Sequence, residues 1–142
     1  MRSLYNVGAF FRTGDAVGLS RLYVSGFTGS PPSKQIAKTA LGSEQTVPWE
    51  RADPFTVIDG RRSAGWETVA IETVDDAIDL CDWTPTFPVL VVLGHEVDGL
   101  PPDIVHRCSR RVRIPMLGTK RSLNVATAGG VVLYELLRKA RV

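Results

Sequence analysis

The sequence predicts an α/β domain, a mostly parallel sheet with helices on both faces, and three observations carry that prediction. Val89-Leu90-Val91-Val92-Leu93 is an unbroken apolar run between Pro88 and Gly94, the composition of a strand covered on both faces rather than one. Stretches of helical periodicity alternate with short apolar runs along the chain, as in a βα alternation rather than a β-sandwich. The 142 residues, 44% hydrophobic, suffice for one sizeable core and leave little room for a second, so a single domain over 1–142 is expected.

The elements follow in order. From Asn6 to Val17 the apolar set Val7, Phe10, Phe11, Ala16 and Val17 fits one helical stripe. Arg21 to Ser25 reads as a short strand, and Gly26 to Ser33 as a loop whose prolines lead into a helix that continues over Gln35 to Leu41 and stops at Gly42. Thr46 to Trp49 reads as a strand, Pro54 to Arg62 as a helix, Val69 to Glu72 as a strand and Pro88 to Leu93 as the central strand. Pro101 to Cys108 forms a proline-opened helix, Val112 to Ile114 a last strand, and a long helix runs from Ser122, its N-cap, to the C-terminus. Arg138, Lys139 and Arg141 complement the negative end of that helix.

Composition removes several classes of function. A net charge of +2 permits a polyanionic partner without requiring one. Cys81 and Cys108 have no CxxC spacing, and His95 and His106 lack ligand spacing, so neither a disulfide framework nor a metal site is expected. No apolar run approaches the roughly 18 residues of a membrane span, and no signal peptide is visible, which points to a reducing cytosol. Neither GxGxxG nor GxxxxGK[ST] occurs.

Three segments place polar residues inside apolar structure: Asn6-Val-Gly-Ala-Phe-Phe-Arg12, Leu93-Gly-His-Glu96-Val-Asp-Gly99-Leu-Pro101, and Ile114-Pro-Met-Leu-Gly-Thr-Lys-Arg-Ser-Leu-Asn124. Gly94 and Gly99 flank Glu96 directly after the buried run. The crevice beyond strand C-termini is where open parallel sheets bind ligands, although a tight turn with a solvated glutamate would read the same. Ile114 to Arg121 sets two cations ahead of a helix N-terminus, which suits a carboxylate or phosphate, or is an ordinary strand-to-helix loop.

Taken together in order and spacing, NVGAFFRTGDAVG, LGHEVDGLP and IPMLGTKRSLNVATAGGVVLYE closely resemble the three motifs of the SpoU family of SPOUT RNA 2′-O-ribose methyltransferases. The resemblance covers nearly the whole chain, and TALGSEQTVPWE resembles a subgroup of the family. It implies an α/β fold with a C-terminal trefoil knot, a homodimer, S-adenosylmethionine as methyl donor, and RNA as substrate, tRNA more than rRNA. In the family pattern Arg12 handles the ribose hydroxyl. Its guanidinium stays protonated, so binding phosphate and orienting ribose is the safer role, with a proton relay through the RNA phosphate left open.

The same resemblance assigns Asn6 to holding the substrate or Arg12, Glu96 to the local charge network, and Ser122 and Asn124 to the vicinity of the transferred methyl. Donor contacts fall on Leu93, Gly94, Ile114, Met116, Ser122 and Leu123, with Glu72 at the edge; core packing is the competing reading for Leu93, Ile114 and Leu123. Arg12, Lys120 and Arg121 are assigned to RNA, with Arg107, Arg110, Arg111 and Arg113 either a further basic cluster or a solvated face. The alternative function is an RNA- and donor-binding protein with lost or altered catalysis. Family members carry an apolar strand ahead of the first motif, for which Met1 to Tyr5 is too short and polar. A gap in the sheet, and a start displaced from the true one, are therefore expected.

Overall fold

In the computed structural model, residues 1–95 and 97–141 are described; Glu96, named above as a site carboxylate, and Val142 lie outside the described residues. Helix α1 spans Leu4–Val17, capped by the Ser3 hydroxyl, which accepts from Asn6 N at 3.2 Å, and ended by Gly18 in the left-handed region at φ 70°. It buries Val7, Phe10 and Phe11. Strand β1 (Leu22–Val24), helix α2 (Lys34–Ala40) and strand β2 (Trp49–Arg51) follow, and β1 and β2 pair in parallel as a two-stranded sheet. Gly8 lets α1 lie against α2: a Cβ there would overlap the Ile36 carbonyl and the Thr39 hydroxyl.

Helix α3 (Pro54–Ser63) is capped by Asp53 with proline in its first turn. The remaining elements are β3 (Glu67–Ile71), β4 (Ile78–Asp79), β5 (Val89–Val92), α4 (Pro102–Arg107), β6 (Arg110–Arg113) and α5 (Val125–Ala140). The four strands form a second parallel sheet in the order β4-β6-β3-β5. Side-chain alternation sorts its two faces. Leu90, Val92 and Ala70 pack with Ile58 of α3 and Ile104 of α4, while Val89, Val91, Val69 and Val112 pack with Val132 and Leu136 of α5.

Several boundaries depart from the sequence reading, some for local and some for tertiary reasons. α5 starts at Val125, not Ser122, because the Asn124 side chain supplies the cap, accepting from Ala126 N at 2.9 Å and Thr127 N at 3.3 Å. β2 lies at Trp49–Arg51 because Thr46 and Val47 close a 3-10 turn on the Ser43 carbonyl. β6 takes in arginines that hydropathy would exclude, since its neighbours fix its register, Val69 opposite Arg110. β4 is two residues long and too short to leave a pattern.

β5 also behaves unexpectedly. All four of its apolar residues are only half-buried, although helices cover both faces. It is an edge strand, and its outer edge and β1 border one cavity of about 700 Å³.

Candidate active site

A cavity of about 860 Å³ opens where β3, β5 and β6 end, lined by the residues that continue them: Glu72 after β3, Leu93 and Gly94 after β5, Ile114 after β6. Its position follows from the topology, because helices wall both faces of a parallel sheet and leave the strand C-termini open. Its size falls in the range of roughly 300–1,000 Å³ common for small-molecule sites.

Two loops close it. The first carries reciprocal bonds between His95 and Gly99, His95 N to Gly99 O at 3.3 Å and Gly99 N to His95 O at 3.0 Å. Gly94 is required at this turn: a Cβ would come within 2.5 Å of the Gly99 carbonyl carbon and 2.6 Å of Leu100 N. Glu72 fixes the loop from below. One carboxylate oxygen accepts from Leu100 N at 2.8 Å and the other from Thr73 N at 3.1 Å. Glu72 therefore lines the cavity, but its acceptors are engaged in holding backbone, which refines the edge contact expected of it. The second loop, residues 114–124, carries no regular structure, and brings Ile114, Met116, Lys120, Arg121, Ser122 and Leu123 to the cavity.

Most of the expected site residues thus meet. Leu93, Gly94, Glu72, Ile114, Met116, Ser122, Leu123, Lys120 and Arg121 line the same space. The first motif joins through Asn124, whose Nδ2 donates to Asn6 Oδ1 at 3.3 Å across 118 residues of sequence. Asn124 thus uses its carbonyl to cap α5 and its amide to tie α1 to the third motif. Arg12, exposed on α1, does not line the cavity within one chain.

Sequence reasoning missed the polar floor. Asp79 lines the cavity and accepts from Arg113 Nε at 2.5 Å, a pair joined by the register of β4 on β6. The rest of the proposed basic cluster is likewise paired: Arg107 with Asp59 at 2.7 Å, Arg110 with Glu67 at 3.6 Å and Arg111 with Asp76 at 2.9 Å. Each of these four arginines has a carboxylate within reach, and Arg113 lines the cavity rather than an outer face. The hydrogen bond from Arg111 holds the Asp76 carboxyl below its ordinary value. Cys108 is buried, and desolvation pushes its thiol up to about 11, which leaves it no nucleophilic role near neutral pH. Among the described residues no group of three or more His, Cys, Asp or Glu is placed to hold a metal ion, and no helix is long and apolar enough to cross a membrane.

Fold and cavity together define a class: a parallel-sheet α/β protein with a backbone-walled small-molecule cavity beyond its strand ends and two exposed cations, Lys120 and Arg121, at its rim. The profile of the SpoU rRNA methylase family matches residues 1–134, and the chain belongs to that family.

Its relatives include a tRNA (guanosine(18)-2′-O)-methyltransferase of Aquifex aeolicus, 31% identical over 140 residues, 98% of this chain and 66% of that one. A 23S rRNA (uridine(2479)-2′-O)-methyltransferase of Streptomyces viridochromogenes is 33% identical over 139 residues, 94% of this chain and 48% of that one. The crystal structure of the SpoU methyltransferase AviRb from Streptomyces viridochromogenes, in complex with AdoMet, superposes with a TM-score of 0.87 at 32% identity, covering 98% of this chain and 57% of that one. The chain spans about half to two thirds of the length of these curated relatives.

Proposed function

We propose that the chain is an S-adenosylmethionine-dependent RNA methyltransferase acting on a ribose 2′-hydroxyl, of tRNA in preference to rRNA, as one catalytic domain over residues 1–142. The observation that carries the reading is the convergence of residues 93–95, 97–99 and 114–123 on one cavity, with the Asn124–Asn6 bond tying α1 to the end of the second loop. The proposal includes a trefoil-knotted C-terminal part, a cytoplasmic location, a homodimer and no metal. The dimer draws on Tyr5 of α1 and Val131 and Tyr134 of α5, large apolar side chains left 41–53% exposed.

The cavity fits the donor. Leu93, Ile114 and Leu123 offer apolar walls for a purine, and the Gly94 turn keeps the loop backbone close enough for main-chain contacts. When bound, S-adenosylmethionine supplies a methyl carbon on a cationic sulfur, which becomes a neutral thioether as the ribose oxygen forms its bond to that carbon. The chain has to align the hydroxyl and let its proton go. Ser122 hydrogen-bonds the ribose. Asn124, locked by its cap and by Asn6, holds the α5 end of the cavity in place. Lys120 and Arg121 anchor phosphates at the rim, contacts that position RNA without reading its sequence. Arg12 orients the ribose and its phosphate from the exposed face of α1, remaining protonated throughout.

That position of Arg12, outside the cavity of one chain, also favours the second reading, an RNA- and donor-binding protein without transfer. The two part on one assay. Bulk RNA is incubated with methyl-labelled donor and hydrolysed in alkali, to which a 2′-O-methylated linkage is resistant. Label in alkali-resistant dinucleotides is the expected result. Donor binding by calorimetry without such label selects the second reading, and no donor binding sinks both.

A further inference from the structure

The turn that leaves β1 presents one aromatic side chain to solvent while its backbone is held in place. Gly26, at φ 57°, opens the turn, and Thr28 N closes it on Ser25 O at 3.1 Å. Phe27, between them, is 95% exposed. The guanidinium of Arg51, from the neighbouring strand β2, clamps the carbonyls on either side of Phe27. Nη1 donates to Gly26 O at 3.1 Å and Nη2 to Thr28 O at 2.5 Å, with a further bond from Nη2 to Ser30 Oγ at 3.3 Å. Gly29 packs against Leu4, where a Cβ would come within 2.2 Å of Leu4 Cδ2. A rigid ring on a clamped turn loses little freedom when a flat group stacks on it.

The charges around this turn select what stacks there. Residues 1–43 carry Arg2, Arg12, Arg21, Lys34 and Lys38 against a single carboxylate, Asp15, in a chain whose net charge is only +2. All five cations are exposed, and Asp15 accepts from Thr46 Oγ1 at 2.8 Å. Lys34 and Lys38, four residues apart on one face of α2, follow the aromatic turn closely in the chain. An aromatic face among cations matches a polyanion that carries flat bases, whereas an apolar protein partner would gain nothing from the charges. The turn also has a fixed relation to the first cavity. Leu4, its contact, opens α1, and Asn6 accepts from Asn124 at the end of the loop that brings Lys120 and Arg121 to the rim. Leu4 and Asn6 are separated by only about 3 Å of helix rise, so the turn sits at the end of the rim to which α1 is tied.

We propose that Phe27 is a stacking platform for an unpaired RNA base, near but not at the nucleotide whose ribose enters the first cavity, and that Lys34 and Lys38 hold phosphates of the same single strand. The proposal rests on the reading of the chain as RNA-binding and holds whether or not methyl transfer follows. Stacking does not read base identity, because every base offers a π-face. The platform therefore sets which unpaired stretch lies across the rim, and it favours single-stranded over duplex RNA, whose bases are already stacked on one another.

The test measures affinity and its salt dependence for the full chain, with an unstructured RNA oligonucleotide of mixed sequence and a fully paired RNA duplex as probes. Phe27→Ala is expected to weaken oligonucleotide binding about tenfold, with the slope of log affinity against log salt unchanged. Phe27→Leu, apolar but without a ring, is expected to match the alanine variant, and Phe27→Trp to match or exceed the parent. Replacing Lys34 and Lys38 together by alanine is expected to reduce that slope by about 1.4, and donor affinity by calorimetry stays the same throughout. Parental oligonucleotide affinity in either Phe27→Ala or Phe27→Leu overturns the proposal, as does an equal loss on the duplex. A changed sedimentation coefficient in Phe27→Ala also overturns it, since a second copy then covers the ring. If the parent binds neither RNA, the RNA-binding reading falls with the proposal; if the parent binds and the Phe27 variants bind equally, the proposal alone falls.

Discussion

The two cavities are similar in size, about 860 and 700 Å³, and opposite in construction. The first lies beyond the strand ends, where backbone groups find partners in loops: Glu72 takes up Leu100 N and Thr73 N, and His95 and Gly99 bond each other. The second lies between strands, where β1 and β5 each have a strand partner on one side only among the described residues. A mixed space whose neighbouring backbone is held by loop contacts suits a ligand, whereas the second space is lined largely by apolar side chains between two strand edges. Volume alone does not distinguish a site from a vacancy in the architecture; the hydrogen-bond partners around it do.

Six substitutions sharpen or break that contrast. The largest effect is expected from Arg12→Ala, which lies outside both cavities: turnover falls by about 10² or more while donor affinity by calorimetry changes less than about threefold. Equal loss of both places Arg12 against the donor and contradicts its assignment to RNA. Next, Gly94→Ala forces a methyl onto the Gly99–Leu100 backbone, and about 1–3 kcal/mol of strain is expected to weaken donor binding about tenfold. Gly60→Ala, at an exposed position of α3 where a Cβ meets nothing, is expected to raise stability by about 0.5–1 kcal/mol in urea unfolding.

A paired comparison concerns the second cavity. Val69 is fully buried in β3, Val91 half-buried in β5, so Val69→Ala is expected to cost about 2 kcal/mol and Val91→Ala less than about 1. Equal costs in denaturant melts mean that the β5 edge is already covered. The smallest effect belongs to Asp76, exposed and bonded to Arg111. Its carboxyl sits below the ordinary 3.8 because that bond favours the charged form. The contribution is therefore present above the unfolded value and disappears as pH falls through the folded one. Asp76→Asn is expected to lower Tm slightly at neutral pH, with the difference from the parent gone near pH 2; a difference that persists there refutes the ion pair as its cause.

How far the site was legible depends on the residue. Gly94 was readable because it directly follows an apolar run, and a parallel sheet opens its ligand crevice at that end; Leu93 and Ile114 were named through the family resemblance. Asn124 was legible as a motif residue but not as the cap of α5 or the partner of Asn6, since a contact across 118 residues leaves no local pattern. The floor pair Asp79–Arg113 was hidden for the same reason, and Arg113 was grouped with three other arginines by nearness in sequence. Their neutralisation by Asp59, Glu67, Asp76 and Asp79 depends on strand order and helix placement.

By itself, the amino-acid order determined the α/β class, the positions of most helices and the central strand, and the family to which the three motifs belong, because periodicity, caps and motif spacing are local properties of the chain. Only the tertiary structure decided that two motif loops share a cavity, that the arginine cluster is neutralised, and that β5 is an edge beside an apolar gap rather than an interior strand. Those outcomes depend on which strands lie side by side, and neighbours in a parallel sheet are linked by crossovers, so their pairing is not written in any short stretch of sequence.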